Sequence, residues 1–233
     1  MGRGLRGARG APRAWLRGVK RSARHGATRG SRGGALAQTR ALLEHSRELV
    51  AQLRAEIGVP ARPNGRAALV MLMGFPGVGK THCGRLLAAR LGAAHVATDH
   101  LRSRLFIAPS YTYEENRAVF TVAEVLVEEL LAEEHVVVLD ATNLLARFRA
   151  PMEGVASRRG VMPLHVHVVA DDADVRARLA ARAVVRGDGD HSDADIGVYE
   201  RMRSQGFEPP ERFVELQNGP NLADEIERIA GLL

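Results

Sequence analysis

Several residue types are scarce in this chain, and each scarcity excludes something. Of 233 residues one is cysteine, Cys83, so no disulfide can form within the chain, and the expectation is a protein of a reducing, cytoplasmic compartment. No apolar run approaches the length of a membrane-spanning helix, so no membrane partner is expected. Lysine is almost missing: of 33 Lys plus Arg, only Lys20 and Lys80 are lysines. Acidic residues are missing from one place alone. Residues 1–35 hold ten basic side chains and no Asp or Glu, which leaves 23 basic against 27 acidic residues in the remainder, a net of −4. The formal charge of +6 is therefore a property of the tail, and the rest of the chain is mildly acidic.

That tail, rich in Gly, Arg, Ala and Ser, has the composition of a disordered segment. A basic arm of this kind either contacts nucleic acid through phosphates or is merely solvated. It lacks the apolar centre of a secretory signal and shares only its arginine content and lack of acids with organellar transit peptides. From Leu36 to Ile57 apolar residues recur at helical spacing, with Leu36, Leu43, Val50 and Ile57 seven apart. The expectation is a helix packed on its own domain rather than a dimer seam. Gly58 to Gly65, with Pro60 and Pro63, reads as a linker. Three regions are thus expected: a tail over 1–35, a helix and linker over 36–65, and a folded domain over 66–233.

What is present is concentrated around residues 74–81, Gly-Phe-Pro-Gly-Val-Gly-Lys-Thr, a full match to G-x-x-x-x-G-K-[ST]. An apolar run, Ala67 to Met73, precedes it, and an amphipathic stretch from Cys83 to Leu91 follows. Strand, glycine-rich turn and helix stand in the order that a phosphate-binding loop requires. Gly74, Phe75, Pro76, Gly77, Val78, Gly79, Lys80 and Thr81 are the expected nucleotide contacts. Their backbone N–H groups face a triphosphate at a helix N-terminus, Lys80 reaches the β- and γ-phosphates, and the Thr81 hydroxyl can ligate Mg²⁺. A chain that writes Arg almost everywhere has kept Lys where a compact point charge suits a phosphate. Cys83, on the helix beyond, reads as a small packed residue.

From Arg66 onward strands alternate with helices. Strands are expected at 67–73, 94–98, 135–140, 163–169 and 212–217, with helices between them, which implies a parallel sheet covered on both faces. Ligands of such sheets bind at the C-terminal ends of the strands. Asp99, just beyond the second strand, stands where a carboxylate can accept a hydroxyl proton, or where it can simply cap the next helix. Arg102, one turn on, can orient an acceptor or its phosphate. The run Val136 to Asp140 is a strand ending in a carboxylate, the arrangement that holds Mg²⁺ opposite a phosphate loop. Asn143 either contacts a ligand or shapes the turn. The helix from Asp172 carries Arg176, Arg178, Arg182 and Arg186 and runs into the loop Gly187 to Asp193. This has the character of a lid, at about 176–195, in which Arg182 and Arg186 face developing phosphoryl charge while Arg176 and Arg178 are solvated. Ser192 and Asp195 suit a capping box for the following helix. His165 and His167 share one strand face, but no third metal ligand is near.

Taken together these residues resemble the P-loop kinases of the polynucleotide 5′-kinase and zeta-toxin type, over about Ala67 to the C-terminus. The resemblance rests on Gly74 to Thr81, on Thr98-Asp99-x-x-Arg102, and on Asp140-Ala141-Thr142-Asn143 with Arg147 and Arg149 downstream. It also rests on Leu179-x-x-Arg182 and on the segment leading to Tyr199. It implies a three-layer α/β P-loop fold, a five-stranded parallel sheet of order 2-3-1-4-5, and ATP and Mg²⁺ as cofactors. It further implies transfer of the γ-phosphate to a hydroxyl, with Asp99 as general base, Arg102 at the acceptor and Arg182 and Arg186 as lid arginines. The glycine usual before the third strand is replaced by Glu133-Glu134-His135, and His82 stands where small hydroxyl residues are commoner. A small-molecule acceptor is the leading expectation. A polynucleotide 5′-hydroxyl, or a nucleotide-dependent switch with no acceptor, remain alternatives.

Overall fold

The computed structural model describes residues 49–184 and 195–233, with backbone alone at 182–184. The basic tail, most of the predicted N-terminal helix, Arg186 and the Gly187 to Asp193 loop lie outside the described residues. The first element is α1, at 49–56. Then come β1 (Ala68–Met73), α2 (Lys80–Leu91), β2 (Ala94–Ala97), α3 (Thr98–Leu105), α4 (Tyr113–Ala132) and β3 (Val136–Asp140). They are followed by α5 (Ala146–Arg158), β4 (Leu164–Val169), α6 (Asp172–Val184), α7 (Ile196–Gln205), β5 (Val214–Gln217) and α8 (Leu222–Ala230). Within the described residues the strands and helices expected from residue 66 onward are found, with ends shifted by a residue or two, as fraying termini are.

The five strands form one sheet of order β2-β3-β1-β4-β5, and each ladder is parallel. All six residues of β1 and all five of β3 are buried, because both faces of a parallel sheet are covered. Successive side chains of a strand point to opposite faces, and the core divides accordingly. Leu69, Met71, Val137 and Leu139 pack with Leu53 of α1, Leu101 of α3, Leu126 of α4 and Met152 of α5. Ala68, Val70, Leu72, Val136 and Val138 pack with Leu87 of α2, Val175 of α6, Tyr199 of α7 and Ile226 of α8. Each fully buried aliphatic side chain contributes about 1.5–3 kcal/mol.

The end of the predicted N-terminal helix does pack on its own domain: Leu53 is buried and Leu49, Val50 and Ile57 lie against the same cluster. The linker after it is pinned. Asn64 donates from Nδ2 to the carbonyls of Leu91 and Gly92, and its Oδ1 accepts from the Val136 N–H. Glu134, within the triplet that replaces the usual glycine, adopts a left-handed φ of 61°, which costs a side-chain-bearing residue about 1–3 kcal/mol.

The register brings the strand ends level. Leu72 of β1 and Ala97 of β2 both stand opposite Asp140 of β3, and Met73 stands opposite His167 of β4. The loop after β1, the start of α3 and the tip of β3 therefore open onto the same edge.

Candidate active site

The loop between β1 and α2 carries Gly74 to Thr81. Gly79 is the N-cap of α2 with φ 91°, and no side chain caps the helix and no acid lies in its first turn. The first N–H groups of a helix of 12 residues thus keep both their donors and the positive end of the dipole for an anion. The glycines serve more than ligand approach. A Cβ at Gly79 would stand 2.1 Å from Nδ2 of Asn218, and one at Gly74 (φ 150°) would stand 2.6 Å from the Val168 carbonyl oxygen. Backbone closes the space at Gly74 before any ligand is present, and at Gly79 a side chain would have to displace the Asn218 amide. The Lys80 ammonium curls back and donates to the Phe75 carbonyl at 3.0 Å.

Asp140 is buried at the tip of β3. Burial alone would raise its pKa. The imidazole of His95 at 3.5 Å, the Lys80 ammonium and the Thr81 hydroxyl instead hold it below the ordinary carboxylate value. The Thr98 hydroxyl donates to its backbone carbonyl at 3.2 Å, so the start of α3 is tied to the same strand tip. A carboxylate and a hydroxyl beside an unclaimed helix N-terminus form a hard-oxygen donor set, which fits Mg²⁺ held jointly with phosphates. Among the described residues no cluster of three or more His, Cys, Asp or Glu could hold a metal ion. His165 instead faces Glu153 at 3.0 Å, and His167 stacks on Phe207.

Asp99 is not a helix cap. The N-cap of α3 is Ala97 and the helix begins at Thr98, which leaves Asp99 in the first turn, half-buried and lining the cleft. Arg102 is only 5% exposed. Its Nη2 donates to Oδ1 of Asn116 at 2.7 Å, and its guanidinium lies 4.5 Å from the Tyr111 ring centroid. Nε and Nη1 of Arg102 have no hydrogen-bond partner among the described residues; each such buried donor costs about 1–3 kcal/mol. Tyr111 has φ 54°, a region that bulky residues avoid. It is fixed by Glu115, whose carboxylate accepts from the N–H groups of Ser110 and Tyr111, each at 2.8 Å. Thr112 caps α4 by accepting from the Glu115 N–H. Sequence reasoning missed Tyr111 and Asn116, and the Thr112-x-x-Glu115 spacing was the one signal available.

The remaining sequence candidates divide. Asn143 shapes the turn: with φ 48° it donates from Nδ2 to the Leu72 carbonyl at 2.9 Å. Buried Arg149 donates to the Asn143 carbonyl at 2.9 Å, whereas exposed Arg147 lines the cleft with Phe148 beneath its guanidinium. Arg176 is solvated, as expected, and paired with Asp172 and Glu200. Arg178 is also more than a third exposed, and it makes a contact that the expectation did not include. It reaches the carbonyls of Gly77 and Val78 at 3.5 and 3.4 Å, because its place on α6 faces the phosphate loop. Asn218, directly after β5, donates from Nδ2 to Val78 O at 2.7 Å. Its position at a strand's C-terminal end was the clue that sequence reasoning passed over. The side chain of Arg182 and the whole of Arg186 lie outside the described residues, as does Ser192. Asp195 is itself the N-cap of α7, accepting from the Val198 N–H, so the proposed box is a single cap.

Lys80, Thr81, Asp99, Arg102 and Asp140 all line one cleft of about 1970 Å³, room for two ligands rather than one. No helix of the described residues is long and apolar enough to cross a membrane.

No curated protein sequence matches the chain. Solved structures do resemble it. The APS kinase CysC of Mycobacterium tuberculosis, in complex with AMPPNP and APS, is 20% identical with a TM-score of 0.53, covering 73% of this chain and 98% of that one. Kti12 of Chaetomium thermophilum, in complex with ADP-AlF3, is 19% identical with a TM-score of 0.57, covering 70% and 96%. A sugar kinase from Janibacter sp. is 15% identical with a TM-score of 0.52, covering 71% and 92%. At these identities the likeness is one of fold, and it matches the sheet order found here. A family model described as an AAA domain (AAA_33) matches residues 69–210, more than half of the chain and the span from β1 through the phosphate loop, Asp99, Asp140 and α7. By that match, and with this sheet around this loop, the chain belongs to the AAA domain family AAA_33, a group of P-loop kinases.

Proposed function

We propose that this protein is an ATP-dependent kinase that transfers the γ-phosphate to a hydroxyl of a small molecule. The observation that carries the reading is one cleft lined by Lys80, Thr81 and Asp140 together with Asp99 and buried Arg102. A triphosphate seated on the bare helix N-terminus directs its terminal phosphoryl group toward the acceptor side. Thr81 and Asp140 are the oxygens that would hold Mg²⁺, which when bound neutralises phosphate charge.

The chain's own residues supply the rest. Asp99 accepts the acceptor's hydroxyl proton as that oxygen bonds to the γ-phosphorus; the bond from phosphorus to the bridging oxygen breaks, and ADP leaves with its electron pair. Lys80 balances the charge on the departing side, while Arg102 holds an anionic group of the acceptor and so aligns its hydroxyl. Arg182 and Arg186 are proposed as lid arginines on their spacing in the sequence. The acidic balance outside the tail favours a small acceptor over a nucleic-acid strand.

The test is incubation of the full chain with γ-labelled ATP, Mg²⁺ and pooled hydroxyl acceptors, reading where the label goes. The expected result is label on an acceptor hydroxyl. Release of labelled phosphate alone, across a broad pool, would refute transfer and favour a nucleotide-dependent switch.

A further inference from the structure

Asp99 and Arg102 both ride on α3, and α3 is poorly secured by its own sequence. It is eight residues long, its N-cap Ala97 makes no side-chain cap, and its middle reads His-Leu-Arg-Ser-Arg. Helices so short do not hold in water without tertiary packing. The Thr98 hydroxyl ties its first residue to the tip of β3, and Leu101 and Leu105 bury its inner face. A further hold comes from α1, which lies ahead of residues 69–210, the span that the family model matches. Leu53 of α1, 1% exposed, packs in the same cluster as Leu101 and Leu105. Glu56, at the end of α1, accepts from Nη2 of Arg104 with one carboxylate oxygen and lies 3.4 Å from Nε2 of His100 with the other. His100 and Arg104 are one turn apart on the same face of α3, so a single carboxylate spans a helical turn. Arg54 does the same toward α4: it pairs with Glu129 at 3.4 Å and Glu133 at 2.5 Å, again four residues apart.

We infer that α1 is a brace added ahead of the family domain, and that Glu56 is a positioning residue which, through His100 and Arg104, sets where α3 presents Asp99. The consequence for transfer rests on the kinase reading proposed above, whereas the brace rests on the contacts alone. A lone ion pair at a surface holds little. Here the side chains of Arg54 and Glu56 are only 23% and 30% exposed, and buried Leu53 lies between them in sequence and beneath them in the core. Together they fasten α3 and α4 to one element. The chain beyond α1 is fixed as well: Ile57, Gly58 and Pro60 line the cleft, and Asn64 is bonded to Leu91, Gly92 and Val136. Asp99 directly precedes His100, so a tilt or slide of α3 carries its carboxylate along. Misplacing a reacting group by about 1 Å costs roughly 10²-fold in rate, and a loosened helix that still visits the right place loses less. Arg102 is held separately, by Asn116 of α4, so an acceptor's anion keeps its partner when α1 lets go. Glu56 itself also lines the cleft, which makes a direct ligand contact the competing role.

The experiment compares Glu56→Ala and Glu56→Gln in the full chain with the wild type by amide hydrogen exchange, ATP calorimetry and transfer kinetics. Glu56→Ala should speed exchange of the α3 amides about ten-fold while those of β1 and β3 stay protected, which shows the fold intact. It should lower kcat about ten-fold, with ATP affinity unchanged and acceptor KM within about three-fold. Glu56→Gln, which keeps an oxygen for Arg104, should recover part of both losses. In Glu56→Ala/Arg104→Ala the two effects should not add, because each change removes the same link. Unchanged α3 exchange in Glu56→Ala overturns the inference. So does a rise in acceptor KM with kcat and exchange unmoved, which would make Glu56 a contact of the ligand. If the wild type labels no acceptor, the kinase reading falls, and α3 exchange alone upholds or overturns the brace.

Discussion

On the donor side of the cleft each decisive group is tied into the fold. The phosphate loop is braced from beneath by Asn218 and Arg178, its glycines are closed in by protein atoms, and Asp140 sits within a network of His95, Lys80 and Thr81. The acceptor side is the opposite: a buried guanidinium with donors to spare, a tyrosine in a strained backbone, and aromatic rings facing water. In the kinase reading proposed above, the donor ligand is gripped by main chain that sheet packing prepares, and the acceptor by side chains carried on helix ends. The first kind of site can be shared by a whole fold, and the second is where an individual substrate is chosen.

Asp99 is the proposed general base, so its removal gives the largest effect. Asp99→Asn is expected to lower transfer by about 10²- to 10⁴-fold with ATP affinity retained, checked by steady-state transfer kinetics beside calorimetry. Wild-type turnover in that variant would remove Asp99 from the proton path. Lys80→Ala attacks the donor side alone: ATP affinity and rate should fall together, the rate by roughly 10²- to 10³-fold, while acceptor KM hardly moves. A variant that lost only acceptor affinity would dissolve the division just drawn.

How far each half was legible in the sequence follows from the same contrast. The strands and helices could be read because a buried parallel strand writes an apolar run and an amphipathic helix writes a period, and the phosphate loop could be read because backbone geometry restricts residue type at fixed spacing. Asp140 was legible as the end of such a run. Arg178 is solvated over 39% of its side chain, but its reach to the phosphate-loop carbonyls leaves no trace in the sequence, since helical spacing gives a face and not what lies opposite it. Tyr111 and Asn116 left no trace, because the chain between α3 and α4 has no period and a guanidinium finds its partners only once that loop is folded.

The bracing of the donor loop can be broken directly. Gly79→Ala puts a methyl group onto Asn218 and forces a side chain to φ 91°, with an expected loss of about 1–3 kcal/mol in denaturant unfolding. In Gly79→Ala/Asn218→Ala the collision is gone and the backbone strain remains, so part of the loss should return. No recovery would mean that strain alone sets the cost. On the acceptor side Tyr111→Asn should do the reverse. Asn tolerates the left-handed region, so the melting temperature should hold or rise, while loss of the ring beside Arg102 raises acceptor KM by up to about ten-fold. A variant that is less stable and binds acceptor normally would make Tyr111 a purely structural residue.

The smallest effect concerns the sheet itself, away from both ligands. Burial lowers the pKa of His165 from its ordinary 6.5, against the pull of Glu153 and with the Arg149 charge pushing the same way. Burial likewise lowers that of His167, against Glu215 and with Lys80 adding to it. In the folded protein both rings are neutral where unfolded histidine has begun to bind a proton. Below about pH 6.5 the unfolded chain therefore holds more protons than the native one, and stability must fall as the pH drops toward the folded values. Above that range these two groups contribute no slope. Chemical denaturation at pH 5.5, 6.5 and 7.5 should show the loss confined to the acid side, and His165→Gln should reduce it without touching the plateau. A slope that rose toward acid pH would mean that Glu153 and Glu215 outweigh burial and keep the imidazoles charged inside the sheet.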